Sequence, residues 1–202
     1  MLEFFATALF QFIMSSTRKN SNSRNSSDYY VTPQKYIDTF LENFHDDWGR
    51  LGKRILDPCA GGDKVYGMPY PSALEKAGYK KVITLDIRPD SRAKNIGDFL
   101  LKTPLKNIDC IITNPPFALA LPIIKKSLVE VNHGGFVIML LRLNFFGSKL
   151  RKPFFDENMP IATYVHHNRI SFSNTKGTDS IEYMHCVWQN GYSGNSTALK
   201  LI

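Results

Sequence analysis

Asn114, Pro115, Pro116 and Phe117 follow directly on the apolar run from Ile108 to Thr113, and their types and spacing could do chemistry. Proline holds φ at about −65° and has no N–H, so such a turn presents carbonyls and one carboxamide in nearly fixed directions. Asn114 Oδ1 and the Pro115 carbonyl can accept the two hydrogens of a flat amino group, while Phe117 can stack on its face. An amine conjugated into a ring is a poor nucleophile, and drawing its hydrogens toward fixed acceptors returns the lone pair to nitrogen. The pattern therefore suits methylation of an exocyclic amine. Taken alone, the tetrapeptide also fits a plain turn with a capping Asn.

Two other strand ends carry polar groups. Arg54-Ile55-Leu56 runs into Asp57-Pro58-Cys59-Ala60-Gly61-Gly62-Asp63, and the run Val82 to Leu85 ends at Asp86 and Ile87. The glycine pair permits positive φ and close approach of backbone to a ligand. An acid ending the second strand can accept from two ribose hydroxyls. Asp98, within Gly97-Asp98-Phe99-Leu100, can accept from an adenine amino group. Ligands of open α/β sheets bind outside the carboxyl ends of the strands, so these groups together point to an adenosine-type cofactor. Neither Gly-x-Gly-x-x-Gly nor a Lys-Ser/Thr pair after the glycines is present, which disfavours a dinucleotide fingerprint and a P-loop.

The elements that must hold these residues alternate between strand and helix from Tyr29 onward. Thr32-Pro33 followed by Tyr36, Ile37, Phe40 and Leu41 predicts a capped amphipathic helix. Pro71 to Ala77 predicts a second helix stopped by Gly78, and Leu119 to Val131 a third, closed by the turn Asn132-His133-Gly134-Gly135. Asp109 to Thr113 and the fully apolar Phe136 to Leu141 read as central strands of a parallel sheet. Ile161 to His166 and Ile181 to Trp188 read as an antiparallel hairpin appended to it. The expected fold is α/β: a Rossmann-like, mostly parallel sheet with helices on both faces and a C-terminal antiparallel hairpin.

With these elements in order, the residues carry a resemblance. Asp57 to Asp63, Leu85-Asp86-Ile87, Gly97-Asp98-Phe99 and Asn114 to Phe117 together resemble the S-adenosylmethionine-dependent amino-methyltransferases. The nearest likeness is to small, phage-type DNA adenine-N6 methyltransferases. Tyr30-Val31-Thr32-Pro33 looks like that family's additional cofactor-binding segment. Leu140 to Phe146, Arg169 to Phe172 and Gly177 to Tyr183 are similar as well, so the likeness spans about Tyr29 to Trp188.

The resemblance implies that Thr32, Pro33 and the turn Asp57, Pro58, Cys59, Ala60, Gly61 hold the methionine part of S-adenosyl-L-methionine. Asp86 with Ile87 would take the ribose, and Asp98 with Phe99 the adenine. Asn114 and Pro115, in the Asn114-Pro115-Pro116-Phe117 turn, would bind the target amine, and Phe117 and Phe172 would sandwich a flipped base. Arg142 and Asn144, at the end of the fourth strand, would orient substrate or phosphate, with a structural ion pair as the alternative. The implied reaction is in-line methyl transfer to adenine N6 of DNA, in the cytoplasm of a bacterial or phage-infected host cell. RNA, a protein glutamine, or a catalytically inactive nucleic-acid-binding role remain alternatives. Two departures stand out: Asp63 follows Gly62 where relatives continue a Gly-containing loop, and no target-recognition domain is evident.

Composition fits this frame. The 202 residues carry a formal charge of +7, which suits a polyanionic partner. Lys149, Arg151 and Lys152 are candidates for a DNA backbone, whereas Arg88, Arg92 and Lys94 read as a solvated face. Cys59, Cys110 and Cys186 form no Cys-x-x-Cys pair and read as reduced, intracellular thiols. His133, His166, His167 and His185 show no ligand spacing, so no metal is expected. Residues 1–28 read as an apolar leader and a Ser/Asn/Arg-rich linker, with one folded domain over 29–202. The leader is too short and lacks the charge pattern for a membrane span or signal peptide. A start at Met14 is the preferred reading, and a leader helix packed on the domain the second. Oligomeric state is left open.

Overall fold

The computed structural model describes residues 28–175, 177 and 180–202. The expected leader and nearly all of the linker lie outside the described residues, as does Lys176. Helix α1 (Gln34–Trp48) leads into strand β1 (Ile55–Asp57), helix α2 (Pro69–Lys76), strand β2 (Val82–Asp86) and the short strand β3 (Asn95–Ile96). Strand β4 (Ile108–Thr113) passes through one 3-10 turn (Phe117–Leu119) into helix α3 (Ala120–Glu130) and the long strand β5 (Val131–Arg142). A second 3-10 turn (Leu143–Phe146), helix α4 (Lys152–Glu157) and strands β6 (Ala162–Val165), β7 (Tyr183–Gln189) and β8 (Ala198–Leu201) complete the order.

All eight strands form one sheet in the order β3-β2-β1-β4-β5-β7-β6-β8. The run from β3 to β5 is parallel, and β7 enters antiparallel between β5 and β6. The expected C-terminal hairpin joins the parallel sheet through β7, which pairs with β5 over seven residues, Phe136 to Arg142, and with β6 on its other side. Strand β8, parallel to β6, is one the sequence reading did not foresee. Its residues Ala198–Leu201 are mostly exposed and carry no buried run to signal a strand.

Side chains of the central strands alternate between two cores, as pleating requires. Ile55, Cys110, Ile112, Ile138 and Leu140 face α1 and α2, packing on Phe40, Phe44 and Leu74. Leu56, Ile111, Val137, Met139 and Leu141 face the other way, against Ile123 and Ile124 of α3 and Phe154 and Phe155 of α4. Helices on both faces cover the central strands, which is why Phe136 to Leu141 of β5 reads as a continuous apolar run. The expected turn at Asn132 to Gly135 is absorbed into β5 as a bulge: the register jumps from Ile108↔Val131 to Cys110↔Phe136. Among the described residues, no helix is long and apolar enough to cross a membrane.

Candidate active site

Because β1, β2 and β4 are parallel neighbours, their carboxyl ends emerge at one edge of the sheet. An open cleft with about 790 Å³ of empty space crosses that edge. Of the expected site residues, Thr32, Pro58, Cys59, Ala60, Gly61, Asp86, Ile87, Asp98, Phe99, Asn114 and Pro116 line it. Pro33, Asp57, Pro115, Phe117, Phe172, Arg142 and Asn144 are not part of its lining.

The β1 turn is tied to the end of β2. Asp86 Oδ2 accepts from the Gly61 amide at 2.7 Å, and Asp86 Oδ1 accepts from the Arg88 amide at 2.8 Å. Gly61 has φ +66°, and a Cβ there would meet the Tyr29 ring at 2.8 Å, so the cradle is closed to any side chain. Asp57 lies beneath this turn and is fully buried. Its Oδ1 accepts from the Cys59 amide at 3.1 Å, while Oδ2 has no hydrogen-bond partner among the described residues. The Thr113 hydroxyl lies beside the carboxyl without closing a well-formed bond. Burial pushes the Asp57 carboxyl up to about 7, against the pull of Thr113 and the Cys59 amide and with help from Asp86. Asp98 accepts from the Leu100 amide at 2.8 Å, which fixes the turn that carries Phe99.

Asn114 closes the other side. Its Nδ2 donates to the Tyr30 carbonyl and to the Thr32 hydroxyl, both at 3.2 Å. Its Oδ1 is buried and has no partner among the described residues. Thr32 thus serves Asn114 and not α1: the helix begins with Pro33 at its N-cap and no side-chain cap.

Several walls of the cleft were not read from the sequence. Asp28 Oδ2 accepts from the Phe117 amide at 3.0 Å. Asn174 clips the incoming strand, accepting from the Val31 amide and donating to the Tyr29 carbonyl, both at 2.9 Å. Tyr70 of α2 also lines the cleft. Arg88, expected on a solvated face, lies with its guanidinium 3.7 Å from the Tyr29 ring centre and donates to the Gly62 carbonyl. These contacts join segments distant in the chain and leave no local motif; the Tyr29-Tyr30 pair was the nearest signal.

The expected aromatic sandwich is also rearranged. Phe172 is 3% exposed and packs edge-on against Tyr183 in the core. The Tyr30 ring stands between it and Phe117, 5.2 Å from Phe172 and 5.9 Å from Phe117. The Arg142 guanidinium lies 4.5 Å from the Phe117 ring centre, a cation–π contact. Asn144 is exposed on the 3-10 turn after β5, and its carbonyl accepts from Arg151.

No protein-family model matches the chain, and no curated protein matches it in sequence. Solved structures do match in shape. A candidate class I S-adenosylmethionine-dependent methyltransferase from Listeria monocytogenes superposes with TM-score 0.62 at 13% identity, covering 99% of this chain and 72% of its own. A candidate RNA methyltransferase from Pyrococcus horikoshii gives 0.60 at 15% identity, covering 93% and 97%. The chain has the Rossmann-like methyltransferase fold. The type I restriction-modification methyltransferase subunit of Streptococcus thermophilus matches with 0.60 at 12% identity, covering 98% of this chain and 50% of that one. The chain therefore spans about half the length of that subunit.

Proposed function

We propose that residues 29–202 act as a methyltransferase that carries the methyl group of S-adenosyl-L-methionine to an exocyclic amine, with adenine N6 in DNA as the preferred acceptor. One observation carries the reading: the buried, unpartnered Oδ1 of Asn114, held by its own carboxamide nitrogen at the end of β4. A lone acceptor in that position lacks only a donor, and an amino group supplies one.

The residues fit the cofactor. The Gly61 cradle, with no room for a Cβ, would take the methionine part together with Thr32, Pro33, Pro58, Cys59 and Ala60. Asp86 and Ile87 would take the ribose; both Asp86 oxygens keep a lone pair beyond the amides they hold. Asp98 and Phe99 would take the adenine. When bound, the cofactor supplies an electrophilic methyl group on a sulfonium.

The chain's own contribution is position. Asn114 Oδ1 and the Pro115 carbonyl draw on the hydrogens of the amine and turn its lone pair toward the cleft. Pro115 and Pro116, directly after Asn114, hold those acceptors still. The extra proton of the methylated amine leaves along the same hydrogen bonds toward water. Tyr30 joins Phe117 as the aromatic surface offered to the base, while Phe172 supports Tyr30 from the core.

The charge of +7 supports a nucleic-acid acceptor, and the restriction-modification subunit among the neighbours supports DNA. A second reading, RNA as acceptor, draws on the Pyrococcus protein, 97% of whose length this chain matches. Labelled methyl transfer with DNA, RNA and protein offered in parallel decides between them. Label in DNA supports the first reading and label in RNA the second. Absence of label with the cofactor bound would leave a binding protein.

A further inference from the structure

Among the described residues, Phe99 alone lines both the cleft and a second cavity with about 590 Å³ of empty space. Leu56, Ile83 and Leu85 of the sheet line that cavity, together with Leu105 and with Glu130 of α3. A ring with open space on two sides makes few contacts there, so packing alone does not fix it. The chain just beyond it adds little: residues 101–107 are all exposed. Upstream, the Gly97 amide donates to the Asp86 carbonyl at 2.8 Å and ties the segment to β2. Downstream, the ties come from α3.

Lys126 Nζ donates to the Lys102 carbonyl at 2.8 Å and lies 5.4 Å from the Phe99 ring centre. Glu130 Oε2 accepts from the Leu105 amide at 3.4 Å. Lys126 and Glu130 stand one helical turn apart, with Nζ 3.1 Å from Oε1, an ionic contact whose angles fall short of a hydrogen bond. Their side chains are only 17% and 2% exposed, so water and salt screen the pair weakly. One ammonium thus meets the Glu130 carboxylate, the Lys102 carbonyl and the face of Phe99. The carboxylate in turn holds the far end of the same segment at Leu105.

We propose that the Lys126–Glu130 pair fastens residues 98–105 to α3 and so holds Phe99 as a fixed wall between the cleft and the second cavity. Lys126 and Glu130 are positioning residues that act through Phe99. Without them the ring can fall back into the cavity, and the adenine end of the cleft widens. The adenine role of the wall rests on the methyltransferase reading above; the fastening does not.

The test uses the full chain with Lys126→Met and Glu130→Gln together. This double variant leaves no lone charge buried and keeps an acceptor for the Leu105 amide. Two probes are titrated by calorimetry well below the melting transition: S-adenosylmethionine, and 5′-methylthioadenosine, which has the adenine but no amino-acid part. Both are expected to bind about tenfold more weakly, the usual scale for a contact that acts on a site through another group. The amides of Leu101 and Lys102, which donate to the Asp98 carbonyl, should exchange hydrogen about tenfold faster by the same coupling. Those of Ile111 and Ile112 in β4 should exchange as in the native protein. Native exchange at Leu101 and Lys102 would overturn the fastening. Accelerated exchange with native affinity for both probes, or with a loss confined to S-adenosylmethionine, would overturn the positioning role. A native protein that binds neither probe would instead remove the methyltransferase reading, while the exchange rates still decide the fastening.

Discussion

The Asn114 carboxamide nitrogen donates to the Thr32 hydroxyl across 82 residues of chain, at 3.2 Å. With the second bond to the Tyr30 carbonyl, this contact uses the donor side of the amide and leaves Oδ1 as its free acceptor among the described residues. The segment before α1 therefore completes a site whose chemical residue follows central strand β4. Asn114→Ala is expected to lower methyl transfer by at least about a hundredfold, the usual scale for losing a preorganised polar contact at a reacting centre. Cofactor affinity, read by calorimetry, should barely change, because the atoms expected to hold the cofactor belong to other strands.

Asp86 is the joint between two strand ends. Removing its carboxylate strands the Gly61 and Arg88 amides, each unpaired buried group costing about 1–3 kcal/mol. Asp86→Ala is thus expected to weaken cofactor binding and lower the melting temperature together. Asp86→Asn, which keeps an acceptor for one amide, should fall between. An unchanged affinity in both variants would remove Asp86 from the cofactor site.

Asp57 gives the neutral range a signature. Its folded-state value of about 7 lies above the ordinary 3.8, so between those values the folded state holds a proton that the unfolded chain has released. That contribution is complete below the lower value and is lost as pH rises through the upper one. Asp57→Asn removes the penalty of charging the buried group. The variant's advantage in melting temperature over the native protein is expected to grow from pH 4 to pH 7 (about three units, set by the shift) and then level off. A pH-independent difference would show that Asp57 is not protonated in the fold.

Phe172 and Tyr30 separate core from site. Phe172→Ala opens a cavity in a fully packed region and should cost about 3–5 kcal/mol of stability by denaturant titration. Tyr30→Ala should cost less stability but weaken binding of a single-stranded oligonucleotide by about 1–3 kcal/mol, the range for one base–aromatic stack. The reverse pattern would return Phe172 to the substrate surface.

How much of this was legible depends on how far apart the partners lie in the chain. Strand ends at Asp57, Asp86 and Asn114 could be read because buried parallel strands are apolar runs and their polar ends stand out locally. The cleft walls could not. Tyr29 meets Arg88 and the Asn174 clip through contacts between segments far apart in the chain, and none has a distinctive neighbour pattern. Phe172 was placed against the base by the resemblance alone; the local sequence does not show that it lies buried against Tyr183 of β7. The pairing of His166 with His185 escaped the sequence for a similar reason: it appears only once β6 and β7 are aligned.

The most direct test of the central claim is the nucleoside product. Unmethylated DNA is incubated with S-adenosylmethionine and either the native protein or Asn114→Ala, then digested and read by mass spectrometry. The account predicts N6-methyladenine with the native protein and almost none with the variant. Equal N6-methyladenine from both, or none from a native protein that binds the cofactor and methylates neither RNA nor protein, would contradict it.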